Sequence, residues 1–372
     1  MLAILFALAG CGGGGGGGNG NGDTTQADFG TFQYIDERGI GIEAFQMIVP
    51  ADWEFTGGIT WHLENPGAPA VANFSVKAPT GEAELELLPA QPFFSTQDPM
   101  ALSFFPVGSR YYGNEVREWP PLGPLETLKQ IVIPKFRSGV KDLQIIEQKE
   151  LPEVADLLRD GLPPQPSTEI AAAMVRIEYE QRGIQMEEEI YCIVETHTFQ
   201  LYMGDSALWM ADYLFSFKAE KGMLDHQYKL FQTMMYSFRL NPQWFNKYVQ
   251  LIDYLVRKQL DAIQDLAELS RIISETTDEI DSMVWRSYEN RNRASDRMAE
   301  NFSNYIRGTD TYDNPFLDSH VKLPSGSANA WANALGEYIL SDDVNYNPNI
   351  GSTQNWRLLN LSSEALAGRI KQ

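Results

Sequence analysis

Apolar and polar side chains alternate with a period of two at several places in the first two thirds of the chain. The clearest run is 83–88, where Glu82, Glu84 and Glu86 fall on one side and Ala83, Leu85 and Leu87 on the other. That pattern marks a half-buried strand. Residues 42–49 alternate more loosely and stop at Pro50, and 71–76 reads the same way. Further strands are predicted over 143–151, 170–180, 185–194, 198–203 and 213–217. Two helices interrupt them. Pro124 suits a first helical position, with Leu125, Leu128, Ile131 and Val132 recurring at helical spacing. Over 223–237, Leu224, Tyr228, Phe231, Met234 and Met235 form one apolar side. An antiparallel sheet carrying packed helices, hence an α+β domain spanning 29–241, is the expected class.

The pattern changes at residue 242. From Gln243 to Arg307 there is neither glycine nor proline, so 242–307 reads as a long helix, a rod of about 95 Å if unbroken, or as a helical hairpin. Leu266, Leu269, Ile273, Thr276, Ile280 and Met283 follow heptad spacing. A capping-box pattern at 276–279 would permit a break into antiparallel helices. Residues 243–285 carry four basic and eight acidic side chains, and 286–307 five basic and three acidic. A hairpin, or a coiled-coil homodimer through 243–307, would oppose these signs. The simpler alternative is one helix laid along its own sheet with a solvated face, on which Arg286, Arg291, Arg293 and Arg297 would be ion-paired. Residues 308–372 are rich in Asn, Asp, Gly and aromatics and read as short strands between turns, a small β module.

Composition narrows the functions. The chain has 372 residues, 43% of them hydrophobic, and a net charge of −21. It can bury real cores, and its charge argues against nucleic acid or an anionic lipid surface as the main partner. No apolar run is long enough to span a membrane. Of the two cysteines, Cys192 lies in an apolar run and reads as a small core residue, and a disulfide to Cys11 is not expected. Leu8-Ala9-Gly10-Cys11, after a short apolar stretch, resembles a bacterial lipobox, although no Lys or Arg precedes it. The resemblance implies a signal peptide over 1–11, lipidation at Cys11, and a place on the extracytoplasmic side of a bacterial envelope, at the outer membrane where the cell has one. The glycine run within 12–28 reads as a flexible tether.

Met47-Ile48-Val49-Pro50 followed by Asp52-Trp53, and the close of the second helix at Ser237-Phe238, resemble the PsbP/DcrB-like family, whose domain opens on such a strand end and closes on such a helix. The resemblance would cover about 29–241 and implies a non-catalytic envelope or assembly factor. The stretches 65–69 and 89–124 depart from that family's compact domain.

Candidate chemistry is sparse. Gly204-Asp205-Ser206-Ala207-Leu208 resembles the nucleophile block of GDSL-type hydrolases, but the late Asp-x-x-His that would activate Ser206 is missing. The histidines (His62, His197, His226 and His320) have no metal-ligand spacing. Asp343, Asn345 and Asn347 alternate as hard oxygen ligands and make an irregular calcium candidate, against an ordinary Asx turn. Trp331, Asn333, Tyr338 and Trp356 are candidates for stacking on a sugar or peptide, or else the core of the last module. Glu187-Glu188-Glu189 reads as an edge or solvated strand face, with a glycosidase-like carboxylate pair as the alternative. No cofactor is expected. The composite expectation is a non-catalytic envelope lipoprotein that binds an envelope protein or cell-wall polymer. The alternatives are a hydrolase of an ester or wall polymer and a coiled-coil dimerisation scaffold.

Overall fold

The computed structural model describes residues 26–63, 65, 68–159, 167–201, 203–258, 282–301, 309–317, 319–350 and 352–362. The leader with Cys11, the tether as far as residue 25 and the heptad positions from 266 to 280 lie outside the described residues, while residues 26–28, expected in the tether, belong to the first strand. The described part is 47% strand and 25% helix. The expected α+β class with a long helical segment is therefore corrected to a mostly β fold with curled sheets.

The organising strand is β11 (Ile184–Leu201), which pairs with β10 (Thr168–Gln181), itself bordered by β9 (Lys141–Glu150). On its other side β11 has two successive partners. Met186 to Ile190 pair with β13 (Leu214–Glu220), and Ile193 to Leu201 pair with β12 (Gly204–Asp212). From that division the sheet runs outward as two wings. One continues from β13 to β5 (Glu84–Leu88), β4 (Ala70–Lys77) and β3 (Glu54–Trp61). The other continues from β12 to β6 (Gln91–Thr96), β8 (Asn114–Arg117) and β7 (Arg110–Tyr111).

Alternation decides how the two faces are covered. Ala173, Val175 and Ile177 of β10, with Ile190, Cys192 and Val194 of β11, pack under the run α2 (Pro124–Thr127), a π turn at Leu128–Val132, and α3 (Ile133–Phe136). Ala172 and Met174, with Tyr191 and Ile193, face the opposite core. That core is closed by β2 (Glu43–Pro50) and by helices α4 (Pro152–Arg159), α5 (Leu224–Ser237), α6 (Pro242–Lys258) and α7 (Ser282–Asn301). The Phe245 and Tyr288 rings lie 6.5 Å apart. A single rod would separate them by about 64 Å, so the continuous helix is excluded and α7 returns onto α6.

β2 belongs to a six-stranded sheet in which β1 (Gln26–Ile35) also pairs with β15 (Tyr338–Ser341), which in turn pairs with β14 (Asn329–Ala332). The Asn-rich tail is thus joined by a ladder to the first strand of the body. Of the residues that carry the PsbP/DcrB-like resemblance, Ser237 Oγ accepts a 2.8 Å hydrogen bond from the Ile48 amide, and Trp53 meets Phe231 edge-on at 6.3 Å.

Candidate functional site: an apolar cleft between two sheet wings

The two wings cannot stay paired where β11 changes partner, and among the described residues two short chain links join them there. Pro89 and Ala90 connect β5 to β6, and Tyr213 connects β12 to β13. Tyr213 takes a φ of 51°, rarely adopted by a bulky side chain, and its amide donates to Asp212 Oδ1 at 2.8 Å. Between the wings lies a cleft of about 1270 Å³. Ala72 and Leu87 line it from one wing, Leu208 and Met210 from the other. The opposite wall is α6, whose Trp244, Tyr248, Ile252 and Leu255 are spaced four, four and three apart and so form one stripe.

A buried carboxylate sets the position of α6. Asp36, in the tight turn between β1 and β2, accepts from the Trp244 indole at 2.9 Å, the Trp61 indole at 3.1 Å and the Ile40 amide at 3.0 Å. These three bonds from α6, β3 and the turn itself satisfy a group that is 1% exposed. Gly39 permits the approach, since a Cβ there would sit 2.0 Å from the Trp61 indole nitrogen.

The cleft is lined mostly by apolar side chains, with Asn65 and Asn114 towards β7, Glu195 and His197 on β11, and Asp212 and Arg291 at the Tyr213 corner. Arg291 of α7 reaches Asp212 at 3.6 Å, donates to the Tyr213 hydroxyl at 3.3 Å, and lies over the Tyr213 and Phe245 rings at 5.5 and 5.7 Å. Its Nε–H is buried with no hydrogen-bond partner. Burial, and behind it the Asp212 charge, pushes the Tyr248 phenol up to about 12, and burial does the same to Tyr213 against the pull of Arg291. Both phenols therefore stay protonated at neutral pH. Glu195 and His197 are exposed cleft residues on β11, and His197 Nδ1 shares a 2.7 Å hydrogen bond with the Thr168 hydroxyl. Tyr111 and Tyr112 stand at the β7 end. Such a site can hold an apolar molecule and satisfy one or two of its polar atoms. Among the described residues that line it, no hydrogen bond joins a serine or cysteine to a base.

The residues singled out from the sequence fall elsewhere. Ser206 is fully buried in β12 and bonded to the Thr96 hydroxyl at 2.7 Å, out of reach of any substrate. The acidic triplet is neither edge nor solvated, because β11 is flanked on both sides and its three carboxylates are buried. Glu188 points into the α3 face, where Arg137 grips it through Nε at 2.8 Å and Nη2 at 2.5 Å, and Tyr179 donates at 2.7 Å. Glu187 and Glu189 point the other way, towards Arg176 at 2.6 and 3.7 Å. Burial pushes the Glu188 and Glu189 carboxyls up; at Glu188 the Arg137 charge and hydrogen bonds outweigh it and hold the group below the usual range, whereas Glu189 stays above it. Alternation along the strand thus separates the triplet into two structural anchors. Cys192 is buried, and its thiol is pushed far up by burial.

In the tail, Tyr338 and Trp356 are buried, Trp331 is partly so, and Asn333 is turned inward. The Asn333 side-chain oxygen accepts from the Leu335 and Glu337 amides, and its nitrogen donates to Gln354 at 3.1 Å and to Glu337. Tyr338, Trp356 and Asn333 thus pack within the module, whereas Trp331 is partly exposed and its indole N–H has no hydrogen-bond partner. Asp343 and Asn347 accept from the amides of Asn345 and Asn349, as Asx turns do. Among the described residues no group of three His, Cys, Asp or Glu side chains converges as a ligand set.

Of the cleft residues, the α6 stripe was open to a helical-period reading. Arg291 looked like one more solvated arginine, and Asp212-Tyr213 carried no signal. No protein-family model matches the chain, and no curated protein matches it.

Proposed function

We propose that this is a non-catalytic binding protein of a bacterial envelope, held there through Cys11, that carries an apolar ligand between its sheet wings and α6. The observation that carries the reading is the cleft itself, about 1270 Å³ and walled by Ala72, Leu87, Leu208, Met210, Ile252 and Leu255. A space of that size fits a chain- or ring-bearing small molecule. The unpartnered Arg291 Nε–H and the protonated Tyr248 hydroxyl offer donors to a carbonyl or hydroxyl at one end. The lipobox and glycine run support the envelope placement. An envelope protein or wall polymer as a further partner remains the expectation drawn from sequence.

The test uses the neutral probe N-phenyl-1-naphthylamine and the full chain. The wild type brightens the probe saturably. Ala72→Trp, which fills the cleft, and Ile252→Asp, which charges its wall, abolish the signal while circular dichroism stays unchanged. Equal signals from wild type and both folded variants would refute the reading.

A further inference from the structure

At the β7 end of the cleft the surface carries a cluster of uncovered apolar side chains. Phe104 is 73% exposed, Tyr112 72%, Met203 62%, Met100 56% and Val107 51%. They come from separate turns drawn together at one place. Asp98 caps α1 (Pro99–Phe104), accepting from the Met100 and Ala101 amides at 2.8 and 3.3 Å, and its other oxygen accepts from the Met203 amide of the β11–β12 turn at 3.4 Å. Beyond α1 the chain returns as β7, where Tyr111 stacks on Phe94 at 4.2 Å and meets Phe105 edge-on at 5.0 Å. Tyr112, at a φ of 46°, is lifted out on the turn that follows.

Charge distinguishes this tip from the rest of the molecule. Between Pro99 and Gly113 the sole charged residue is Arg110, on a chain of net charge −21. Of the carboxylates nearby, Asp98 is held in the caps just described, Glu115 pairs with Arg117 at 2.8 Å, and Asp205 accepts from the Gln200 amide at 3.3 Å. Five apolar groups carried by α1 and the stretch after it, the turn after β7 and the β11–β12 turn, with Arg110 as the one charge between Pro99 and Gly113, suit a medium that moulds itself around each group. A protein partner would need a matching pocket for every one.

We propose that this tip, Met100, Phe104, Val107, Tyr112 and Met203, docks the body on the surface of a zwitterionic lipid bilayer. The aromatic rings and methionines enter the headgroup–acyl boundary and Arg110 meets lipid phosphate. The chain's negative charge disfavours anionic lipid, so the preferred surface is neutral overall. Tyr112 also lines the cleft, which opens the cleft towards the bilayer. The docking claim rests on the exposed cluster and its charge, and it holds whether or not the cleft carries a ligand.

The experiment uses the full chain with Cys11→Ser, so that no acyl group can form, and with Phe104→Cys labelled by an environment-sensitive nitrobenzoxadiazole dye. Cys192 is buried with its thiol pushed up and does not compete for the label. A second chain carries the dye through Val344→Cys, an exposed site on the tail. With phosphatidylcholine vesicles the dye at 104 brightens and blue-shifts, and the dye at 344 does not. Adding Tyr112→Ser and Met203→Ser to the first chain weakens vesicle partition about tenfold. Silence at 104, or equal responses at 104 and 344, overturns the proposal; the latter would show that the leader holds the chain at the membrane. So does a dye that ignores vesicles but is shielded by delipidated envelope protein, which would make the partner a protein. Probe binding in the cleft is scored separately and can succeed or fail without deciding this question.

Discussion

Removing the Arg137 guanidinium tests the central electrostatic anchor of the sheet. Glu188 has no exposed surface, and Arg137 bonds it through Nε and Nη2, reaches Glu86 at 2.7 Å, and donates to the Ser216 hydroxyl at 3.2 Å. Arg137→Met keeps most of the side chain's length and strands a buried carboxylate, a change that costs roughly 3–5 kcal/mol at neutral pH. Glu188→Gln alone leaves Arg137 with Glu86 and costs about 2–3 kcal/mol. The double variant leaves neither charge stranded, so its loss is well below the sum, with a coupling of at least about 1.5 kcal/mol. The pH dependence fixes the cause. In the wild type the Glu188 carboxyl is lowered, so its stabilisation is present above the unfolded value and disappears as pH falls through the folded one. Without Arg137, burial pushes the same carboxyl up against the lesser pull of Lys218 and the Ser216 hydroxyl, and the variant is penalised most where that group must ionise. Urea unfolding followed by tryptophan fluorescence should therefore show a larger gap between wild type and Arg137→Met at pH 7.5 than at pH 4.5. Equal gaps at both pH values, or a loss below about 1 kcal/mol, would refute the anchor as drawn.

Glu189 behaves with the opposite sign. Its carboxyl is raised by burial, so the wild type loses stability as pH climbs from the unfolded value through the folded one, and Glu189→Gln flattens that part of the pH–stability profile. Asp36→Ala removes the acceptor of two indoles and an amide, costs about 2–4 kcal/mol, and releases the α6 wall, so probe binding in the cleft falls with the melting temperature. Ser206→Ala breaks one buried hydroxyl pair, costs about 1–2 kcal/mol, and leaves any ester turnover by the preparation unchanged.

What the sequence disclosed followed from how local each cause is. Strict alternation announced the strand at 83–88, and the long apolar run at 170–180 announced β10, because a period of two is a property of neighbours. Residues 195–197, Glu-Thr-His, read as a gap between two strands, yet β11 continues through them. They are polar because two of them border the open cleft, not because the ladder stops. β3 has no counterpart among the predicted strands, and it holds two adjacent glycines, Gly57 and Gly58. Their absent side chains admit close neighbours: a Cβ would lie 2.3 Å from the Asn73 carbonyl oxygen at the first and 2.3 Å from the Tyr34 ring at the second. The missing glycine and proline of 243–307 permit a long helix without requiring one, and the turn back is fixed by Phe245 meeting Tyr288. The acidic triplet misled for a similar reason. Arg137 lies 51 residues from Glu188, a distance over which no spacing rule speaks.

The cleft shares that long-range origin, which is why it had no motif. A sheet strand can keep one continuous partner on each side, and β11, with two in succession on one side, forces its sheet to part. The parting puts Tyr213 at a positive φ, a conformation that costs of order 1–3 kcal/mol and persists only where the surroundings hold it. Here Asp212 holds the Tyr213 amide and Arg291 holds its hydroxyl, while Arg291 leaves its own Nε–H unspent. The described side chains could have closed the gap, since alanines at 70, 72 and 90 face it where larger residues would fill it. On the proposed reading, small residues along the cleft, a strained corner and an unused donor at its end share one physical account: room for a molecule that brings its own carbon surface and one hydrogen-bond acceptor.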